Sequence, residues 1–225
     1  AKGRELKKSL GICIGASTIS AVGIEAGTNG HAILEVISRP HEGNPRDALV
    51  GILQGIDLAR YGACAVTGRK FRNLTSLTSI SEPEAVEAAL ERLCPPGPPL
   101  QAVLSLGGEN FLVYVLGKDR RISSVLTGNK CASGTGEFFL QQIRRLRVSL
   151  DEAMLHAARE VPYKVSGRCS VFCKSDCTHA TNKGVPRERV VAGLCRMMAG
   201  KVIEILKHLP RRDMMVIGGV SRNSV

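Results

Sequence analysis

The chain of 225 residues has no tryptophan, and only five phenylalanines and three tyrosines. Its core must therefore be aliphatic, and it has no run of aromatics on which bases of single-stranded nucleic acid could stack. Acidic residues are the minority, 20 against 31 basic ones, leaving a net charge of +11. Such a balance attracts acidic partners. The basic residues are scattered, however, with short clusters only at Arg144-Arg145, Arg147 and Arg211-Arg212. The reading is a basic surface, with no nucleic-acid partner. No run of about 18 apolar residues exists to span a membrane, and no signal-peptide pattern opens the chain. No membrane partner is expected, and the cytoplasm is the default. Eight cysteines in that setting point to free thiols or metal ligands rather than a disulfide framework. No close Cys-x-x-Cys pair is present, so zinc-ribbon and ferredoxin spacings are unsupported. An iron–sulfur cluster would need ligands brought together from separate segments or separate subunits.

What is present is a pattern that occurs twice. Leu10 to Gly15, Ile19 to Glu25 and Ala32 to Ser38 read as three strands of a meander, the first turn carrying Gly15, Ser17 and Thr18. Asn44-Pro45 starts a helix expected to run to about Leu58, with Pro45 suited to the first helical position. Ala63 to Thr67 reads as a short buried strand. Ser81 and Glu84 have capping-box spacing for a helix to about Leu93. The stiff stretch Cys94-Pro95-Pro96-Gly97-Pro98-Pro99 follows. Beyond it the pattern returns. Gln101 to Leu106, Phe111 to Leu116 and Arg121 to Leu126 are strands, with Gly107 and Gly108 in the first turn. A helix capped by Ser149, with Glu152 completing the box, reaches about Glu160. A long helix spans about Arg187 to His208, and a buried strand, Met214 to Ile217, ends at Gly218-Gly219. The duplication predicts two α/β lobes, 1–98 and 99–225, around a nucleotide cleft. Three glycine turns after strands suit two phosphate loops and an adenosine loop. The chain begins on Ala1 and stops just past that last turn, so a piece of a longer chain is expected.

The organising stretch is Gly128-Asn129-Lys130-Cys131-Ala132-Ser133-Gly134-Thr135-Gly136-Glu137-Phe138-Phe139-Leu140. A single thiol precedes a Gly-Thr-Gly turn that opens a helix through Arg147. Amides at such a helix start favour a negative charge, phosphate or thiolate. The alternative is a glycine turn with a half-buried cysteine. Further on, Cys169, Cys173 and Cys177 recur every fourth residue, which on a helix stacks them on one face. That face is either metal-binding or a thiol stripe packed in a core. Cys13, Cys64, Cys94 and Cys195 read as packing residues. The five histidines read as surface or satisfied core residues, His179 alone lying near the thiol face.

Three segments carry a resemblance: Asn129 to Gly136, Cys169-Ser170-Val171-Phe172-Cys173-Lys174-Ser175-Asp176, and Gly218-Gly219-Val220-Ser221-Arg222-Asn223. Together they resemble the activator (ATPase component) family of 2-hydroxyacyl-CoA dehydratases and benzoyl-CoA reductases, most closely an activase-like domain of the large fused proteins. The resemblance implies the actin, sugar-kinase and Hsp70-type ATPase fold. It implies ATP and Mg²⁺ as cofactors, held at Gly15, Ser17, Thr18, Gly107, Gly108, Gly134, Thr135, Gly136, Glu137, Gly218 and Gly219. It also implies a homodimer sharing one 4Fe–4S cluster, with Cys131 and Cys169 as ligands. A low-potential electron would then pass to a dehydratase- or reductase-type protein or fused domain.

The chain departs from that family where carboxylates are normal. Cys13 stands at the usual Asp of the first phosphate loop, and Ser105 and Asn110 stand at acidic positions of the second. Carboxylates there help hold Mg²⁺ and orient water. Glu109 is the reachable carboxylate that could compensate and is the catalytic candidate. The departures favour nucleotide binding over efficient turnover and keep a second reading open: a degenerate, non-hydrolysing nucleotide- or cluster-binding scaffold of the same fold. A sugar or acetate kinase would leave the cysteine motifs without a role.

Overall fold

The computed structural model describes residues 7–27, 30–68, 72–94, 100–128, 132–209, 213–223 and 225. Cys131 and the proline stretch 95–99 lie outside the described residues. The chain divides into two compact units, Ala1–Gly97 and Pro98–Val225.

The first unit opens with β1 (Lys7–Ile14), β2 (Thr18–Gly27) and β3 (Gly30–Pro40), an antiparallel meander. Helix α1 (Pro45–Gln54) follows, then β4 (Ala63–Thr67), β5 (Thr78–Ser79) and α2 (Glu82–Leu93). The sheet order is β3-β2-β1-β4-β5, with β4 parallel to both β1 and β5. Period-two alternation sends Leu10, Ile12 and Ile14 inward, where they meet Leu49 and Ile52 of α1. Both helix starts are dictated locally. The Asn44 side chain accepts from the Asp47 amide with Pro45 just inside, and Ser81 and Glu84 form the reciprocal capping box. Helix α1 stops at Gln54, short of Leu58. Gly55 ends it, and Asp57 caps a separate 3-10 turn, Leu58–Arg60, by accepting from the Ala59 amide.

The second unit repeats the plan. Strands β6 (Ala102–Leu106), β7 (Phe111–Leu116) and β8 (Ile122–Thr127) form the meander, and β9 (Met214–Ile217) lies parallel to β6, giving the order β8-β7-β6-β9. Four helices intervene: α3 (Gly136–Leu146), α4 (Leu150–Ala157), α5 (Ser170–Asn182) and α6 (Arg187–Ile205). The central strands β6 and β7 are almost wholly buried. Phe138, Phe139 and Ile143 of α3, Met154 of α4 and Val190, Val191 and Leu194 of α6 form one core with Phe111, while Ala102, Leu104, Val113 and Leu206 form a second. The two strands expected to be buried, β4 and β9, are only partly so. Val66 is buried in β4, whereas β9 borders the sheet and leaves Val216 exposed.

Candidate functional site

In the first unit the β1–β2 turn is closed by the Gly15 amide donating to the Thr18 carbonyl at 3.0 Å. Buried His41 braces it from behind. The Gly43 amide donates to His41 Nδ1 at 3.2 Å, which puts the ring proton on Nε2, and Nε2 donates to the Gly15 carbonyl at 3.2 Å. The His41 amide also donates to the Ser17 carbonyl at 3.0 Å. These contacts turn the carbonyls of the loop toward the protein, and Thr18 stays exposed. His41 is a satisfied core histidine whose contacts shape the β1–β2 turn.

Cys13 does not pack inside. Strand alternation that buries Ile12 and Ile14 turns residue 13 to the other face, and the side chain is exposed there. The protein massed around it, and after that the Glu82 carboxylate, still push its thiol pKa up. The thiol therefore stays neutral near pH 7 and supplies no charge in place of an aspartate. Glu82 opens α2, which follows β5 in a sheet where β1, β4 and β5 run parallel, and the Thr67 hydroxyl at the end of β4 is buried without a hydrogen-bond partner. Carboxyl ends of parallel strands are the usual ligand side of an α/β sheet. Local sequence gave no reason to single out Glu82, because the Ser81–Glu84 box already explained that helix start.

The second unit gathers its glycines at one end of the sheet. The Gly107 amide donates to the Asn110 carbonyl at 3.1 Å, forming the turn. The start of α3 grips that turn: the Gly136 amide donates to the Gly107 carbonyl at 3.2 Å, and the Glu137 amide to the Gly108 carbonyl at 2.8 Å. A methyl group on Gly136 would lie 2.7 Å from Val220 Cγ2 and 3.0 Å from the Gly107 oxygen. Gly218 adopts a φ of 94°, and a Cβ there would meet the Leu106 oxygen at 2.5 Å. Gly107, Gly108, Gly136, Glu137 and the Gly218–Val220 turn thus converge.

The roles differ from the simplest reading of a Gly-Thr-Gly anion site. The amides of Gly136 and Glu137 are spent on the turn, and Thr135 caps the helix by accepting from the Phe138 amide at 3.3 Å. The Glu137 carboxylate lies along its own helix, 3.7 Å from the Arg144 guanidinium. Of the positions that depart from the acidic pattern, Ser105 is buried within β6 and Asn110 closes the turn through its carbonyl. Glu109 is half-buried on the turn itself.

The cysteines separate by environment. Cys173 and Cys177 lie inside the helical core at 0% and 3% exposure. Hydrogen bonding to Cys173, then burial, pushes the Cys177 thiol far above its ordinary value. Their side of α5 is a packed thiol stripe. Cys195 is buried too, with the Asn223 side-chain amide donating to its sulfur at 3.7 Å. Cys169 differs: it is half-buried, unpaired by any disulfide, and occupies the N-cap of α5 without a side-chain cap. Exposed Val171 and Phe172 follow it, and His179 is exposed on the same helix. Ser133, two residues after Cys131, donates through Oγ to the carbonyl of Gly167, two residues before Cys169, at 3.3 Å. The Ser166 amide donates to Asp176 Oδ2 at 2.7 Å, pinning the same loop to α5. Among the described residues no three His, Cys, Asp or Glu side chains gather into a metal site, and no helix is long and apolar enough to cross a membrane.

Comparison with known proteins bears on this arrangement. The family model for the BadF/BadG/BcrA/BcrD ATPase family matches residues 97–225. The chain is 28% identical over 131 residues to the 2-hydroxyisocaproyl-CoA dehydratase activator of Clostridioides difficile, covering 56% of this chain and 48% of that protein. It is 29% identical over 129 residues to the (R)-2-hydroxyglutaryl-CoA dehydratase activating ATPase of Acidaminococcus fermentans, covering 56% and 49%. A benzoyl-CoA reductase subunit of Thauera aromatica is 27% identical over 127 residues, covering 55% and 45%. The chain thus spans about half the length of the curated relatives it matches. Among solved structures, the Clostridium difficile activator of 2-hydroxyisocaproyl-CoA dehydratase with bound ADPNP superposes with a TM-score of 0.81 at 22% identity, over 96% of this chain and 82% of that one. The Acidaminococcus fermentans dehydratase component A gives 0.76 at 20% identity, over 96% and 85%. These establish that the chain shares the fold of those two proteins.

Proposed function

The chain belongs to the BadF/BadG/BcrA/BcrD ATPase family, and from that premise we propose that it is an ATP-dependent activator module for a dehydratase- or reductase-type partner. The observation that carries the proposal is the double engagement of one short segment, 133–137. At its end, Gly136 and Glu137 clasp the Gly107-Gly108 turn; at its beginning, Ser133 bonds to the loop of Cys169. A nucleotide that moves the phosphate turn therefore pulls on the loops that bear the two cysteines. Packed elements with two discrete arrangements carry this kind of coupling.

Cysteine thiolates are the ligand type of an iron–sulfur cluster, and the reading assigns Cys131 and Cys169 to one. Cys169 is accessible, and the α5 amides behind it have no side-chain cap, which suits an anionic group at that point. Exposed Val171 and Phe172 supply apolar surface for a second copy, so that Cys131 and Cys169 from each chain complete four ligands. Held this way, a 4Fe–4S cluster supplies one low-potential electron to the partner.

ATP and Mg²⁺ are taken at the glycine turns, with Gly15, Ser17 and Thr18 in one unit and Gly107, Gly108, Gly218 and Gly219 in the other. The second unit's turn is held in shape by Gly134 to Glu137. Neutral Cys13 leaves the first turn without its usual negative charge, and Glu109 on the second turn is the carboxylate that would orient water there. Turnover is slow relative to binding.

The test is oxygen-free purification, with iron, sulfide and the visible spectrum measured for wild type, Cys131→Ala and Cys169→Ala. About two irons per chain in a dimer, lost in both variants, support the proposal. A folded wild-type protein that takes up no iron or sulfide sinks it.

A further inference from the structure

We propose that Lys201 is the positioning residue of the paired cysteine segments. It rises from α6, the longest helix, and its Nζ donates to Ser133 Oγ at 2.9 Å. An ammonium has no acceptor, so Ser133 accepts from it and directs its single proton onward to the Gly167 carbonyl at 3.3 Å. The relay Lys201–Ser133–Gly167 therefore has one direction, and each bond polarises the next. Ser133 is fully buried, so water cannot substitute for the lysine without a cavity opening. The aliphatic stem packs on both loops as well. A Cβ on Gly134 would lie 2.6 Å from Lys201 Cδ, and one on Gly167 would lie 3.8 Å from Lys201 Cε.

The two loops are far apart in sequence and belong to different elements, so nothing local sets their spacing. Lys201 sets it, from a rigid helix that contributes Val190, Val191 and Leu194 to the core. Among the described residues no carboxylate neutralises Lys201. The role of the cysteines rests on the activator reading; the tether itself is a property of the iron-free chain.

The experiment compares wild type with Lys201→Met, which keeps the stem and removes the ammonium, and with Lys201→Arg, which keeps a cation. Two quantities are read: hydrogen exchange of the segments around Ser133 and Gly167 in iron-free protein, and the rate of iron loss to a chelator after anaerobic reconstitution. Lys201→Met is expected to raise exchange in both segments without moving the melting temperature, and to speed iron loss about ten-fold or more. Lys201→Arg is expected to recover most of both effects. Unchanged exchange in Lys201→Met, or iron loss equal to wild type, overturns the assignment. Should wild type hold no iron, the activator reading falls and the exchange measurement alone decides the tether.

Discussion

Helices α3 and α5 both begin just after a cysteine-bearing loop, and their first turns are built in opposite ways. Every donor named at the start of α3 has a partner inside the chain: Gly136 and Glu137 hold the Gly107-Gly108 turn, and Thr135 takes the Phe138 and Phe139 amides. At α5 the N-cap is Cys169, and no side chain caps the amides behind it. A helix start with its amides consumed is a structural clasp. One left uncapped beside a thiol is where an anionic group can sit. That both cysteines stand shortly before a helix hides this division of labour in the sequence.

The strongest way to break the clasp is Gly136→Ala, which drives a methyl group against Val220 and the Gly107 carbonyl. Overpacking of this kind costs about 1–3 kcal/mol. The melting temperature should fall, and affinity for a non-hydrolysable ATP analogue, read by calorimetry, should drop at least ten-fold. A variant that binds the analogue as wild type does would show that the clasp is not part of the nucleotide site.

A pair of substitutions sharpens the contrast. Thr135→Ala removes a real cap and should cost about 1 kcal/mol in a denaturant titration. Cys169→Ala removes none and should leave stability within about 0.5 kcal/mol while abolishing iron uptake. In the other direction, Cys169→Asp supplies the missing cap and should stabilise iron-free protein by about 0.5–1 kcal/mol. If Cys169→Ala destabilises as much as Thr135→Ala, α5 is not uncapped in the way described.

The smallest effect concerns acid. Glu152 caps α4 by accepting from the Ser149 amide and hydroxyl, and those hydrogen bonds lower its pKa; Ser81 does the same for Glu84 on α2. A carboxyl whose folded pKa is depressed stabilises the fold above its unfolded pKa, and the contribution is lost as pH falls through the folded value. Melting temperature should therefore decline below the ordinary carboxylate range. Glu152→Gln should flatten part of that decline, while Cys169→Ala should leave it unaltered.

Much of the fold was legible because its signals are local. Asn44-Pro45, Ser81 with Glu84, and Ser149 with Glu152 each cap the helix that follows, and the alternation of Leu10, Ile12 and Ile14 faces one strand inward. That alternation also places Cys13 on the open face, although its residue type suggested packing. Cys173 and Cys177 were ambiguous because spacing alone stacks thiols without saying whether the stripe meets solvent or core. Lys201, His41 and Glu82 carried no sequence signal. Their importance comes from contacts with chain that is distant in sequence, such as the bond from Lys201 to Ser133, and no periodicity encodes such a pairing.

The central claim is that the Gly107-Gly108 turn, the proposed phosphate site, and the cysteine loops move together through residues 133–137. Hydrogen exchange of the peptide covering 165–172, measured without oxygen in the presence and absence of ATP and Mg²⁺, tests it directly. The account predicts that nucleotide changes protection in that peptide and that Gly136→Ala abolishes the change. Nucleotide binding, verified by calorimetry, with identical exchange in the peptide would contradict it.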